Sequence, residues 1–177
     1  DNVFMAIVTD GHMGGELATR RQEQLDAAKM IGAQEVFFLD YADTSFECNR
    51  DSIMRIEEVI KKVEADVVYT HYGEDTHQDH RNIARAMVPA ARSVPNLLSI
   101  EGFSSQHFDP SVFVDIGSVI HQKLVALEAH ASQVQKTNIQ NMSIVDIARS
   151  VANFRGIYGR VTYAECFVPV RHFIDFS

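Results

Sequence analysis

The chain has 177 residues, 46% of them hydrophobic, with 16 basic against 24 acidic side chains and a formal charge of −8. That length suits one compact α/β domain over residues 1–177, and the negative charge disfavours nucleic acid or an anionic membrane surface as a partner. Two distant cysteines outside any CxxC spacing, no leader-like N-terminus and no long apolar run give the expectation of a cytoplasmic protein without membrane insertion.

Val3–Thr9 is a nearly continuous apolar run ended by Asp10-Gly11, the pattern of a parallel strand buried on both faces. It opens two residues after Asp1, so the domain is expected to be truncated at its N-terminus. A helix follows from Thr19, with Leu25, Ala28, Met30 and Ile31 among charged residues and Gly32 at the C-cap position. Val36–Leu39 is the next strand, and a polar loop runs from Asp40 to Asn49. Ser52 is read as the cap of a helix whose apolar side holds Ile53, Ile56, Val59, Ile60 and Val63. Val67–Thr70 is a third strand. A helix is expected from about Arg81 to Ala91, then strands at Leu97–Phe103 and Val112–Val114. Asp115 is read as capping a helix that carries Ile116 to Ala131; a further helix runs from Ser143 to about Phe154, and a last strand covers Tyr163–Val168. Strands alternating with helices imply right-handed βαβ units, a doubly wound, mostly parallel sheet with helices on both faces.

The segment between the third strand and the next helix carries the chemistry. His71 to Arg81, HYGEDTHQDHR, holds three histidines, three carboxylates and an arginine in eleven residues at the end of a strand, where open α/β sheets place their active sites. Imidazoles and carboxylates are the ligands and proton carriers of divalent-metal hydrolysis. His77 and His80 are three apart, so at a helix mouth both rings can face one space, one on a metal and the other on substrate. Asp79 between them can take a ring N–H and fix a tautomer. A hydrolytic zinc site needs about three protein ligands plus water. No second histidine-carboxylate cluster follows a strand, so the set is incomplete as written.

With these residues the chain resembles the LmbE-like (PIG-L) family of zinc-dependent de-N-acetylases. The likeness runs through Thr9-Asp10-Gly11, Gly14-Gly15-Glu16, Arg20 with Glu23, Asp43, the HxDHR box from His77 to Arg81, Ala126–His130 followed by Ser132-Gln133, Arg155-Gly156, and Tyr163-Ala164-Glu165. It implies a Rossmann-like α/β fold and removal of an N-acetyl group from an N-acetylglucosamine-type amino sugar in a small-molecule conjugate. It further implies His80 as a ligand of zinc, or of another divalent metal such as iron. His77 becomes the stabiliser of the tetrahedral oxyanion, Asp79 its orienting partner, and Asp43 and Arg20 the residues facing the sugar. The family's His-Pro-Asp-Asp-Glu box, which brings the remaining ligands and the general base, does not occur here.

A non-catalytic sugar- or nucleotide-binding module on the same fold is the competing reading. A metallopeptidase fits less well, because Gln78 and a three-residue spacing replace the glutamate and four-residue spacing of HExxH. A homo-oligomer is compatible with everything above. Residues 1–177 alone are expected to bind zinc weakly, to lack deacetylase activity and to self-associate through an unpaired sheet edge.

Overall fold

The structure, a computed structural model, describes residues 2–174; Asp1 and residues 175–177, the two ends of the expected domain, lie outside the described residues. The chain runs β1 (Phe4–Thr9), α1 (Leu17–Met30), β2 (Glu35–Tyr41), α2 (Arg50–Lys62), β3 (Val67–His71), α3 (Gln78–Ala90), β4 (Asn96–Ile100), β5 (Val112–Asp115), α4 (Ile120–Glu128), α5 (Ile144–Gly159) and β6 (Ala164–Arg171), with a 3-10 turn at His12–Gly14. This is a mixed α/β fold with two sheets. No helix among the described residues is long and apolar enough to cross a membrane. Two compact units are distinguishable: the chain up to Asp43 with Phe113–Glu165, and Thr44–Val112 with the chain from Cys166.

In the first unit β1 and β2 pair in parallel, from Phe4 opposite Glu35 to Ile7 opposite Phe38. Only Val8 of β1 is buried, so the expectation of a strand covered on both faces is corrected: among the described residues β1 has a single paired neighbour. Helix α1 packs on α4, and α4 on α5, through Ala27, Ala28, Leu124, Ala126 and Ala152. Ser143 and Asp146 close a reciprocal capping box that starts α5. Near its end, Gly156 approaches the return chain so closely that a Cβ there would lie 2.6 Å from the Val161 carbonyl oxygen. Asp115 does not cap α4. It ends β5 and accepts the Gly117 amide at 2.8 Å, an Asx turn that delays the helix to Ile120.

In the second unit β3 and β4 run parallel, Val67 opposite Asn96 through His71 opposite Ile100. The next strand along this sheet is β6, which lies antiparallel to β4. The expected single, mostly parallel sheet therefore differs from the structure in its last strand and in its division. An apolar run marks the presence of a strand but carries no signal for its direction. Helices α2 and α3 pack together, burying Ile56 and Ile60 on one and Ile83, Ala84, Ala86, Met87 and Ala90 on the other. The cap of α2 is Asn49; Ser52 sits three residues inside and returns the bond, its Oγ 3.0 Å from the Asn49 amide. Arg92 grips the buried Glu57 with both terminal nitrogens, at 2.7 and 3.0 Å, tying the chain after α3 to α2.

Candidate active site

The histidine loop spans the end of β3 to the first turn of α3. His71 is the last residue of β3, and His77 is the N-cap of α3, which begins three residues earlier than the sequence pattern implies. A histidine is an uncommon cap, and its chemistry is specific: Nδ1 accepts the Asp79 amide at 3.2 Å. Accepting that bond requires an unprotonated Nδ1, so the neutral ring carries its proton on Nε2.

Asp75 anchors the loop. It is 4% exposed and accepts the His77 amide at 2.7 Å, Ser104 Oγ at 2.8 Å and Ser105 Oγ at 3.3 Å. His80 Nδ1 lies 3.2 Å from Asp75 Oδ2, within ion-pair reach but off the line of a well-aligned hydrogen bond, and this buried nitrogen has no hydrogen-bond partner among the described residues. Burial alone would raise the Asp75 carboxyl, yet the donors from His77, Ser104 and His80 bring it below its ordinary value. Backbone bonds from Thr76 to Ser104 and from Gln106 to Glu74 hold the loop against residues 104–106, and Arg81 Nη1 donates to the carbonyls of Asp75 and Thr76.

The three rings stack. His71 and His80 are parallel within 4° at 3.8 Å between centroids, and His77 and His80 lie 4.6 Å apart. Burial, with the neighbouring His80 and His77, depresses His71 to about 4, so it is neutral at physiological pH.

Sequence reasoning set the Asp79 carboxylate against a histidine ring. In the structure the Asp79 amide meets His77, while its buried carboxylate accepts the amides of Thr44 at 2.7 Å and Phe46 at 3.2 Å. Gln78 donates to the Thr44 carbonyl and Asn82 to that of Phe46, so the first turn of α3 fixes residues 44–46. A nitrogen of His77 and a carboxylate oxygen of Asp79 lie within 4.8 Å of one another, close enough to face one cation.

Asp43 and Arg20 belong to the first unit. Asp43 Oδ2 accepts the Met13 amide at 3.2 Å, and its own amide donates to Asp10 Oδ1. Asp10 also takes the His12 amide and, at 2.8 Å, His12 Nδ1; these donors outweigh burial and hold its carboxyl below the ordinary value, while that same bond raises His12. Arg20 lies with Nη1 3.7 Å from Glu23, its Nε buried and without a hydrogen-bond partner among the described residues. Glu23 accepts the Ser132 amide at 2.6 Å and Ser132 Oγ at 2.8 Å, and Gln133 and Lys136 both donate to the Gly14 carbonyl. The late His-x-Ser-Gln residues thus tie α1 to the turn after α4. His130 beside them is depressed by burial and by Arg20.

Sequence reasoning left Asp75 unassigned. Its only local signal is an aspartate two residues before the capping histidine; Ser104 and Ser105, which define its role, are 29 and 30 residues away.

The family described as "PIG-L: GlcNAc-PI de-N-acetylase" matches residues 1–91. The "Uncharacterized deacetylase YaiS" of Escherichia coli strain K12 is 33% identical over 139 residues, 73% of this chain and 75% of its own length. The 4-oxalmesaconate hydratase of Pseudomonas putida is 25% identical over 131 residues, 64% of this chain, and the chain spans only 50% of that relative. Among solved structures, N,N'-diacetylchitobiose deacetylase from Pyrococcus horikoshii, complexed with its inhibitor MPG, superposes with a TM-score of 0.83 at 21% identity, covering 99% of this chain and 77% of that one, a likeness of fold. By the span of the family match and the E. coli relative, the chain belongs to the PIG-L family of de-N-acetylases.

Proposed function

We propose that the chain acts as a metal-dependent hydrolase that removes an N-acetyl group from an N-acetylglucosamine-type amino sugar conjugate. We read its mixed α/β fold as the Rossmann-like arrangement of that family and its setting as cytoplasmic. The observation that carries the proposal is the pair of stacked imidazoles at the mouth of α3 whose Nδ1 atoms face unlike groups: that of His77 accepts an amide, and that of His80 lies 3.2 Å from a carboxylate oxygen.

The residues suit a divalent cation. An imidazole backed by a buried carboxylate is the usual setting of a histidine ligand to zinc or iron, and His80 has that backing in Asp75. When bound, such a cation supplies Lewis-acid polarisation of the acetyl carbonyl and lowers the pKa of water toward about 7. His80 would hold it through Nε2. His77, with Nδ1 occupied, presents Nε2–H as a donor to the oxygen that gains charge as the amide carbon becomes tetrahedral. Asp79 keeps the loop at 44–46 in place, and Asp43, the residue before it, and Arg20 are assigned to the sugar hydroxyls.

The test is acetate release from N-acetylglucosaminides, including a diacetylated chitobiose, with the metal content of the same preparation quantified. Stoichiometric metal with acetate release supports the proposal. Metal binding with hydration of 4-oxalmesaconate and no acetate would assign water addition instead, and sugar binding without metal or turnover would assign a binding module.

A further inference from the structure

We propose that Asp75 is the positioning residue of the loop. It holds the proton of His80 on Nδ1, so that Nε2 carries the lone pair a metal needs, while it sets the backbone from which His77 caps α3. This deepens the metal-hydrolase reading of the site and rests on it.

The argument begins with what a buried carboxylate requires. An ionised Asp75 with 4% exposure is tolerated only when its oxygens are met by donors. Ser104, Ser105 and the His77 amide supply three. His80 Nδ1 also lies beside it, at 3.2 Å from Oδ2. If that nitrogen bore a lone pair, two acceptors would face each other out of water. If it bears the proton, ring and carboxylate attract, and the neutral ring is left with its lone pair on Nε2. His77, stacked on the same ring, is held in the opposite tautomer by the Asp79 amide. One aspartate and one amide therefore divide two identical side chains into a ligand and a donor. The Asp75–Ser105 bridge and the Arg81 bonds to the loop carbonyls keep Asp75 in register with both.

Long-range proton–nitrogen correlation spectra of the metal-free, nitrogen-15-labelled chain, above the titration range of histidine, read the tautomer of each ring directly. His80 is expected as Nδ1–H and His77 as Nε2–H. In Asp75→Asn, whose amide can turn a donor toward the ring, His80 should move toward Nε2–H while His77 keeps its tautomer. Zinc affinity, measured by competition with a chromophoric chelator, should fall about 10- to 100-fold in the same variant. An Nε2–H His80 in the unmutated chain overturns the proposal even if no variant folds. So does an unchanged tautomer with zinc affinity within about twofold in a folded Asp75→Asn chain. Failure of the metal reading looks different: His80→Ala would leave zinc binding unaltered, or the unmutated chain would take none, while the tautomers remain as assigned.

Discussion

His77 and His80 are the same side chain three positions apart, and their neighbours give each a different task. In a complete enzyme, His77→Ala should lower kcat by about 10² to 10³, or about 3 to 4 kcal/mol, the loss expected for one oxyanion donor, with metal content retained. His80→Ala should empty the metal site. Kinetics and metal analysis on the same preparations check both, and metal lost with His77 but kept without His80 would exchange the roles. Asp43→Ala should reduce kcat/KM about 10- to 100-fold with metal in place, as for a lost charged hydrogen bond. If the Met13 and Asp10 contacts are its whole role, the variant will instead show a lowered melting temperature with ordinary kinetics. His71 makes a separate prediction. Its folded pKa, about 4, lies below its ordinary 6.5, so the unfolded chain binds the extra proton in that window. The stability it contributes is full above pH 6.5 and is lost as pH falls toward 4, by about 3 kcal/mol at one unit per 1.36 kcal/mol. Urea melts of His71→Gln between pH 7 and 4 should lose that part of the slope.

At the scale of elements, what was legible in the sequence was periodicity, and what was not was partnership. The apolar runs at β1, β2 and β3 and the faces of α2 and α3 are local signals, and each element formed within a few residues of its expected bounds. The histidine loop stood out because no packing demand calls for so many titratable groups after a short apolar strand. Its internal wiring did not. The Asp79 carboxylate serves residues 33 and 35 positions earlier, and no spacing rule within an eleven-residue motif reports that. The cap of α2 was misplaced because a reciprocal box contains two eligible residues, Asn49 and Ser52, and composition does not say which begins the helix. Gly156 shows the converse, a local motif whose reason is a distant approach. Gly156→Ala should destabilise the chain by about 1 to 3 kcal/mol, since its Cβ would press on the backbone at Val161 and Thr162. Thermal melting against wild type measures it, and an unchanged midpoint would mean the turn after α5 yields freely.

At the scale of the molecule, each compact unit is built from separated stretches of chain. The bond between Glu23 and Ser132 states this most directly, because its ends are 109 positions apart in the sequence. During synthesis at about 5 to 20 residues per second, α1 emerges roughly 5 to 20 seconds before the serine that satisfies its buried carboxylate. For that interval Glu23 must stay in water, and α1, with its own weak amphipathic pattern, has little to hold it. Nascent chains halted before Ser132 should therefore show α1 open to protease, and chains extended past Lys136 should show it closed. Glu23→Gln, which keeps the shape and removes the charge, should delay that closure, making this carboxylate a clock for the order in which the chain assembles.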